Sequence, residues 1–179
     1  MHGAFRLLTE SDAQAIATWT YAPPFDFYNW NPADDPSDLL ITFPPLIVID
    51  DETGLPAGFV CFGRAAQVPS GWTTTIYRDA LLDIGFGLRP DLTGRGFGLR
   101  FVEATLQLAV SMFEPSGFRL TVAAFNLRAI RVYERAHFRE SVQIVLESYG
   151  RDVPFTIMER HPGRFLSSRQ DRIGKDQYC

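Results

Sequence analysis

The chain has 179 residues, of which 46% are apolar, 13% aromatic and 21% charged; this composition can bury a core and argues against disorder. Its net charge of −4 and pI near 5.3 give no global attraction for nucleic acid or anionic membranes, and no apolar run approaches the ~20 residues that span a bilayer. Two cysteines cannot make a disulfide framework and the N-terminus lacks a signal-peptide core, so a reducing, cytoplasmic setting is expected.

In chain order, residues 4–8 read as a strand, and residues 9–12 supply helix-start side chains for a helix over 13–20. Residues 21–32 form an aromatic loop broken by prolines, and residues 34–40 read as a second short helix. Residues 46–50 and 57–63 form a hairpin around the turn at 51–54. Residues 64–75 are loop-like and contain Trp72. In the strand over 81–88, Leu82, Ile84, Phe86 and Leu88 share one face and Asp83, Gly85 and Gly87 the other. One carboxylate and two missing side chains predict room for something to lie against that second face.

Residues 97–113 make the strongest helix, with Gly98, Phe101, Val102, Thr105, Leu106, Ala109 and Phe113 on one face. A strand over 118–122 leads to Asn126, which caps a helix over 127–138. Strands over 142–147 and 154–159 close the pattern. Residues 162–179 are polar and aperiodic, which predicts one domain over 1–161 followed by a tail. Strands and helices in mixed order predict an α+β or α/β layer fold.

Three glycines at alternate positions, Gly94, Gly96 and Gly98, lie between a strand pattern and a helix pattern. Without Cβ atoms such a turn lets N–H groups crowd together, and the helix adds unpaired N–H groups and the positive end of its dipole. The result suits phosphate oxygens. A dinucleotide fingerprint fails because its third glycine would fall on Leu99. A P-loop fails because the only lysine is Lys175. What is left is a short pyrophosphate cradle made by Thr93, Gly94, Arg95, Gly96, Phe97, Gly98 and Leu99, or an ordinary turn. Arg89, Arg95 and Arg100 make a local basic patch beside it.

Together with the segment that starts at Asn126, this turn resembles the GCN5-related N-acetyltransferases. That family has Gln/Arg-x-x-Gly-x-Gly/Ala between strand and helix, matched here from Thr93 to Gly98. Further on it has a strand, an Asn, and a helix with Ala-x-x-x-Tyr-Glu before Gly-Phe. Asn126, Ala129, Tyr133, Glu134 and Phe138 match that pattern. Thr93 departs from Gln/Arg, which removes a side chain but no backbone. His137 departs from Gly at a helix end that favours left-handed backbone. The motifs cover roughly residues 81–138, and the flanking strands extend the likeness over most of the chain.

The resemblance implies an α+β acetyltransferase fold: a mixed, largely antiparallel central sheet, helices on both faces, and two splayed central strands. It implies transfer of an acetyl group from acetyl-coenzyme A to a primary amine of a small molecule or peptide, by direct attack in a ternary complex. The alternative is an acyl-coenzyme A sensor without turnover. No metal, nucleic acid or membrane is expected, and a homodimer stays open. The pantetheine arm is expected to pair with backbone at Phe86, Gly87 and Leu88, with Asn126 beside it.

Tyr133, at the family's tyrosine position, is the expected proton donor to the leaving thiolate; its competing reading is a core aromatic on an amphipathic helix. Asp83 is the expected base, against a plain polar residue on a strand face. Phe25, Phe27, Tyr28 and Trp30, with Trp72, are expected either to wall the acceptor site or to plug the open side of the sheet. Cys61, inside an apolar strand, is read as a buried hydrophobe rather than an acetyl carrier.

Overall fold

A computed structural model describes residues 5–41, 47–50, 52–78 and 80–161; the expected tail at 162–179 lies outside the described residues. The chain runs β1 (Phe5–Leu7), α1 (Glu10–Ala17), β2 (Ile47–Asp50), β3 (Pro56–Phe62), β4 (Leu82–Leu88), α2 (Phe97–Phe113), β5 (Phe118–Ala123), α3 (Leu127–Arg135), β6 (Arg139–Ser148) and β7 (Arg151–Arg160), with short 3₁₀ turns between. The seven strands form one sheet in the order β1-β2-β3-β4-β5-β7-β6. All neighbours are antiparallel except β4 and β5, which run parallel.

Side-chain alternation sorts the helices onto opposite faces. Val60 and Phe62 of β3, Ile84 of β4 and Leu120 and Val122 of β5 meet Val102, Leu106 and Ala109 of α2 in the main core. Phe59, one residue out of phase on β3, instead packs with Trp19 and the α1 residue Ile16 on the other face. There too, Ala123 and Phe155 gather Phe27, Val68 and Ile76 from the loops. α1 starts at a capping box, in which the Thr9 hydroxyl and the Asp12 carboxylate satisfy each other's backbone N–H groups. Arg6 ties that helix to the sheet, donating to Asp12 (2.8 Å) and to Asp50 (2.7 and 2.8 Å); these bonds hold the Asp12 carboxyl down to about 2.

α2 spans Phe97–Phe113, as its periodicity predicts. α1 begins and ends three residues before the expected 13–20 because Thr9 caps it. Residues 34–40 yield only a 3₁₀ stretch over Pro36–Ile41. α3 stops at Arg135, and His137 takes φ +66°, the left-handed conformation that the missing glycine would have adopted.

Candidate active site

β4 and β5 touch at only two positions, Leu82 opposite Phe118 and Asp83 opposite Arg119. Beyond them β4 continues with β3 as far as Leu88, while β5 continues with β7 as far as Ala123. A gap therefore opens between the two central strands. The Leu82 N–H bonds to Gly117 O (3.0 Å) on the β5 side, and the Arg89 N–H bonds to Ala57 O (2.9 Å) on the β3 side. Successive residues of a pleated strand turn their peptide groups to opposite edges. Phe86 and Leu88 thus present N–H and C=O to the gap, whereas Gly85 and Gly87 present theirs to β3. The expectation that Gly87 offers backbone to a ligand is corrected on this ground.

Gly85 and Gly87 both line the cavity, as the expected room requires, but side chains of β3 take the space their own Cβ atoms would need. A Cβ on Gly87 would stand 2.1 Å from the Phe59 ring, and one on Gly85 would stand 2.5 Å from the Cys61 sulfur. These glycines thus admit neighbouring side chains of β3 while bordering the cavity. Leu88 already gives its carbonyl to the Tyr21 hydroxyl (2.9 Å).

At the top of the gap lies the glycine turn. Gly94 and Gly96 have φ of +75° and +84°, and added Cβ atoms there would meet nothing within 4 Å. Their conformation, not crowding, demands glycine; a side chain would cost about 1–2 kcal/mol. Gly96 leads directly into α2, so its turn delivers the N–H groups of the first helical turn to one side. Gly98 has a different reason: its Cβ would approach Val132 of α3 to 3.3 Å, so it lets α2 and α3 close together. Thr93 gives both its N–H (3.1 Å) and its hydroxyl (2.7 Å) to Pro90 O, which takes it out of the cradle. Arg95 lies 5.8 Å from the Phe97 ring centre. Arg89 is held by Asp91 (2.7 Å) and Pro56 O (3.2 Å).

From the cradle a cavity of about 790 Å³ runs down the gap, with Gly94, Gly96, Leu99, Phe86, Leu88 and Tyr133 in its wall. The Tyr133 ring rests on Phe86, with centres 5.7 Å apart, and burial pushes its hydroxyl well above the usual tyrosine value. It therefore keeps its proton at neutral pH. Cys61 reaches the same wall, donating weakly to Ala65 O (3.5 Å), and burial raises its thiol to about 12. A thiol so held is a poor nucleophile. Asn126 caps α3 by accepting from the Ala129 N–H (3.1 Å) and donates to the Tyr28 hydroxyl (3.2 Å), so it joins helix and aromatic loop at the cavity.

Asp83 stands elsewhere. Its two oxygens accept from Arg119 Nε (2.6 Å) and Nη2 (2.8 Å), and Gln67 Nε2 adds a third bond at 2.6 Å. The paired side chains are 4% and 1% exposed, and Asp83 is not among the described residues of the cavity wall. A carboxylate saturated by a bidentate guanidinium is the wrong group to take a proton from an acceptor, so the expected base is corrected to a structural ion pair. Arg119 also donates to Ile76 O (2.6 Å) and faces the Tyr77 ring at 5.1 Å. The strand residue Arg119 carries no local signal that would mark it as buried.

The aromatic loop divides between its two expected uses. Phe25, Tyr28 and Trp30 line the cavity. Phe27 does not; it packs edge-on against Tyr28, Phe125 and Tyr149, with centres 5.1–5.7 Å apart, and plugs the cluster under the loop. Trp72 lies outside the wall, beneath the Arg64 guanidinium (3.7 Å). Three arginines of α3 that sequence reasoning passed over, Arg128, Arg131 and Arg135, also line the cavity. Their spacing of three and four residues already puts them on one helical face. Among the described residues, no cluster of His, Cys, Asp or Glu suits a metal ion, and no helix is long and apolar enough to cross a membrane.

Comparison with known proteins agrees with this geometry. The structure is similar to AAC(6')-Ib in complex with ribostamycin and coenzyme A (TM-score 0.73, 23% identity, 94% of this chain and 98% of that one). It is also similar to the Vibrio cholerae spermidine N-acetyltransferase in complex with CoA and spermine (TM-score 0.67, 17% identity, 88% and 94% covered). A third likeness is yncA from Salmonella typhimurium with its cofactor acetyl-CoA (TM-score 0.63, 16% identity, 92% and 96% covered). No curated protein matches the sequence. Residues 4–139 match the family described as the acetyltransferase (GNAT) domain, and the chain belongs to that family of acetyltransferases.

Proposed function

We propose that this protein transfers the acetyl group of acetyl-coenzyme A to a primary amine, by direct attack within a ternary complex. One observation carries the reading: a continuous cleft leads from a glycine turn with outward-facing backbone to a protonated tyrosine beneath two parted strands. The N–H groups of residues 94–99 suit a pyrophosphate, each charge-assisted hydrogen bond contributing about 1.5–3 kcal/mol. Phe86, with N–H and C=O turned to the gap, and the Leu88 N–H suit the amides of a pantetheine arm added like a strand.

When bound, acetyl-coenzyme A supplies an activated acyl thioester. The chain's residues do the rest. Another backbone N–H of the parted strands would suit the carbonyl oxygen as it gains charge. Tyr133 holds a proton for the departing sulfur; a thiol titrates at roughly 8.5, below the raised phenol, so this transfer is uphill alone and is coupled to return of a proton from the attacking nitrogen. The saturation of Asp83 by Arg119 favours one second reading, a sensor that binds acyl-coenzyme A without turnover.

A thiol-release assay over a panel of amines, paired with calorimetric titration of acetyl-coenzyme A, decides between them. Release that requires an amine supports transfer. Tight binding with no release under any amine supports the sensor, and absence of binding overturns both.

A further inference from the structure

The cavity has walls from both faces of the sheet. Tyr133 and the glycine turn belong to the face that α2 and α3 cover. Ile84 of β4 and Leu120 and Val122 of β5 point to that face, so Asp83, Gly85 and Thr121 point to the other. Gly85, Thr121 and the loop residues Gln67 and Val68 line the same cavity. It therefore passes through the gap between the parted strands. A cofactor seated on the glycine turn occupies one mouth, so in a ternary complex the acceptor enters by the other.

Residues 67 and 68 build the floor of that second mouth. Gln67 Nε2 donates to Asp83 Oδ2 (2.6 Å), on the last β4 residue paired with β5. The Val68 N–H donates to the Tyr77 hydroxyl (3.1 Å), which shares a hydrogen bond with the Thr121 hydroxyl (3.0 Å) on β5, just past the last pair. The adjoining Ala66 lies over Gly85, where an added Cβ would come within 3.4 Å of the Ala66 methyl. This segment thus ties β4 to β5 where they begin to part. It also fixes the Gln67 amide one way round. Asp83 already accepts twice from Arg119, and a carboxylate only accepts, so the amide nitrogen faces it. The other half, Oε1, accepts no hydrogen bond among the described residues. The side-chain polar atom sealed there without a partner is the Thr105 hydroxyl, so Gln67 Oε1 is an open acceptor.

We propose that Gln67 binds the acceptor nitrogen: its side-chain carbonyl accepts one N–H of the amine, and Asp83, fixed by Arg119, is the positioning residue that holds the amide in that orientation. This rests on the transferase reading above and names a residue for its acceptor side. The nitrogen lone pair forms the C–N bond to the thioester carbonyl carbon, and the C–S bond breaks with its electron pair on sulfur. Tyr133 gives that sulfur a proton, and one proton of the attacking nitrogen restores the tyrosine hydroxyl directly or through water. The N–H held by Gln67 stays on nitrogen and becomes the amide N–H of the product. A primary amine has both hydrogens that this requires, and Gln67 itself takes up no proton. While the adding nitrogen is cationic the bond is charge-assisted, so it strengthens toward the transition state.

The test uses two stable analogues of the joined substrates, so it does not depend on the acceptor's body: S-(N-methylcarbamoylmethyl)-coenzyme A and its ester counterpart, S-(methoxycarbonylmethyl)-coenzyme A. Only the first carries an N–H at the position of the acceptor nitrogen. Calorimetric titration of the wild-type protein should show the amide bound about tenfold more tightly than the ester. In Gln67→Met the two should bind within about twofold of each other. The same collapse is expected when Asp83→Leu and Arg119→Met are combined, because nothing then orients the Gln67 amide. Each ratio is taken within one protein, so a general loss of stability cancels. An amide advantage of unchanged size in either variant, or none in the wild type, overturns the proposal; amine-dependent thiol release by the wild type then leaves the transferase intact. Failure of acetyl-coenzyme A and both analogues to bind overturns both.

Discussion

The two ends of β4 face β5 in opposite ways. At Leu82 and Asp83 the strands are paired and stitched by a buried bidentate ion pair; from Phe86 to Leu88 they are apart, and the backbone looks into a cavity. The closed end fixes where the gap begins. Through Gln67 and Ile76 O, Asp83 and Arg119 also hold the loop between β3 and β4. The open end holds the cavity, with Tyr133 and the glycine turn in its wall, and is where the proposed function puts the chemistry. Charge at the closed end is therefore architectural, and the proposed function makes the neutral hydroxyl at the open end its reactive group.

The contrast breaks most visibly if Tyr133 is not reactive. Tyr133→Phe should lower kcat by about 10²–10⁴-fold while the dissociation constant for acetyl-coenzyme A stays within about threefold; unchanged turnover removes the role. At the closed end, Arg119→Met leaves the Asp83 carboxylate buried and unpaired. Urea unfolding should show a loss of about 3–5 kcal/mol, and adding Asp83→Leu should recover part of it. A loss below about 1 kcal/mol would mean that the pair does not hold the strands.

Gly96→Ala sharpens the open end. Its φ of +84° makes the side chain cost about 1–2 kcal/mol, and KM for acetyl-coenzyme A should rise about tenfold with kcat largely kept. The smallest effect is expected of Asn126→Ala. It removes a helix cap worth about 1 kcal/mol, seen as a fall in thermal midpoint, together with the bond to Tyr28.

How much of this was legible in the sequence follows from the same contrast. The glycine turn was readable because it depends on local backbone: positive φ at Gly94 and Gly96, and a helix that starts at the next residue. The left-handed end at His137 was readable for the same reason. The fate of Asp83 was not, because its partner Arg119 lies 36 residues away and is buried only once β5 pairs with β4. Gly85 and Gly87 do border the cavity, but that the Phe59 ring and the Cys61 sulfur of β3 crowd them depends on strand pairing and was not legible. The family resemblance put the aromatic loop near the cleft, with a plug of the sheet as the other reading. That Phe27 plugs and Tyr28 faces the cavity depends on where Phe125, Tyr149 and Phe155 stand after folding.

The most direct measurement is a crystal structure with acetyl-coenzyme A bound. The account predicts pyrophosphate oxygens within about 2.7–3.2 Å of N–H groups in residues 94–99, the pantetheine amides paired with Phe86, and the thioester sulfur within hydrogen-bond reach of the Tyr133 hydroxyl. A diphosphate seated away from the glycine turn, or a sulfur on the far side of the sheet from Tyr133, would contradict it.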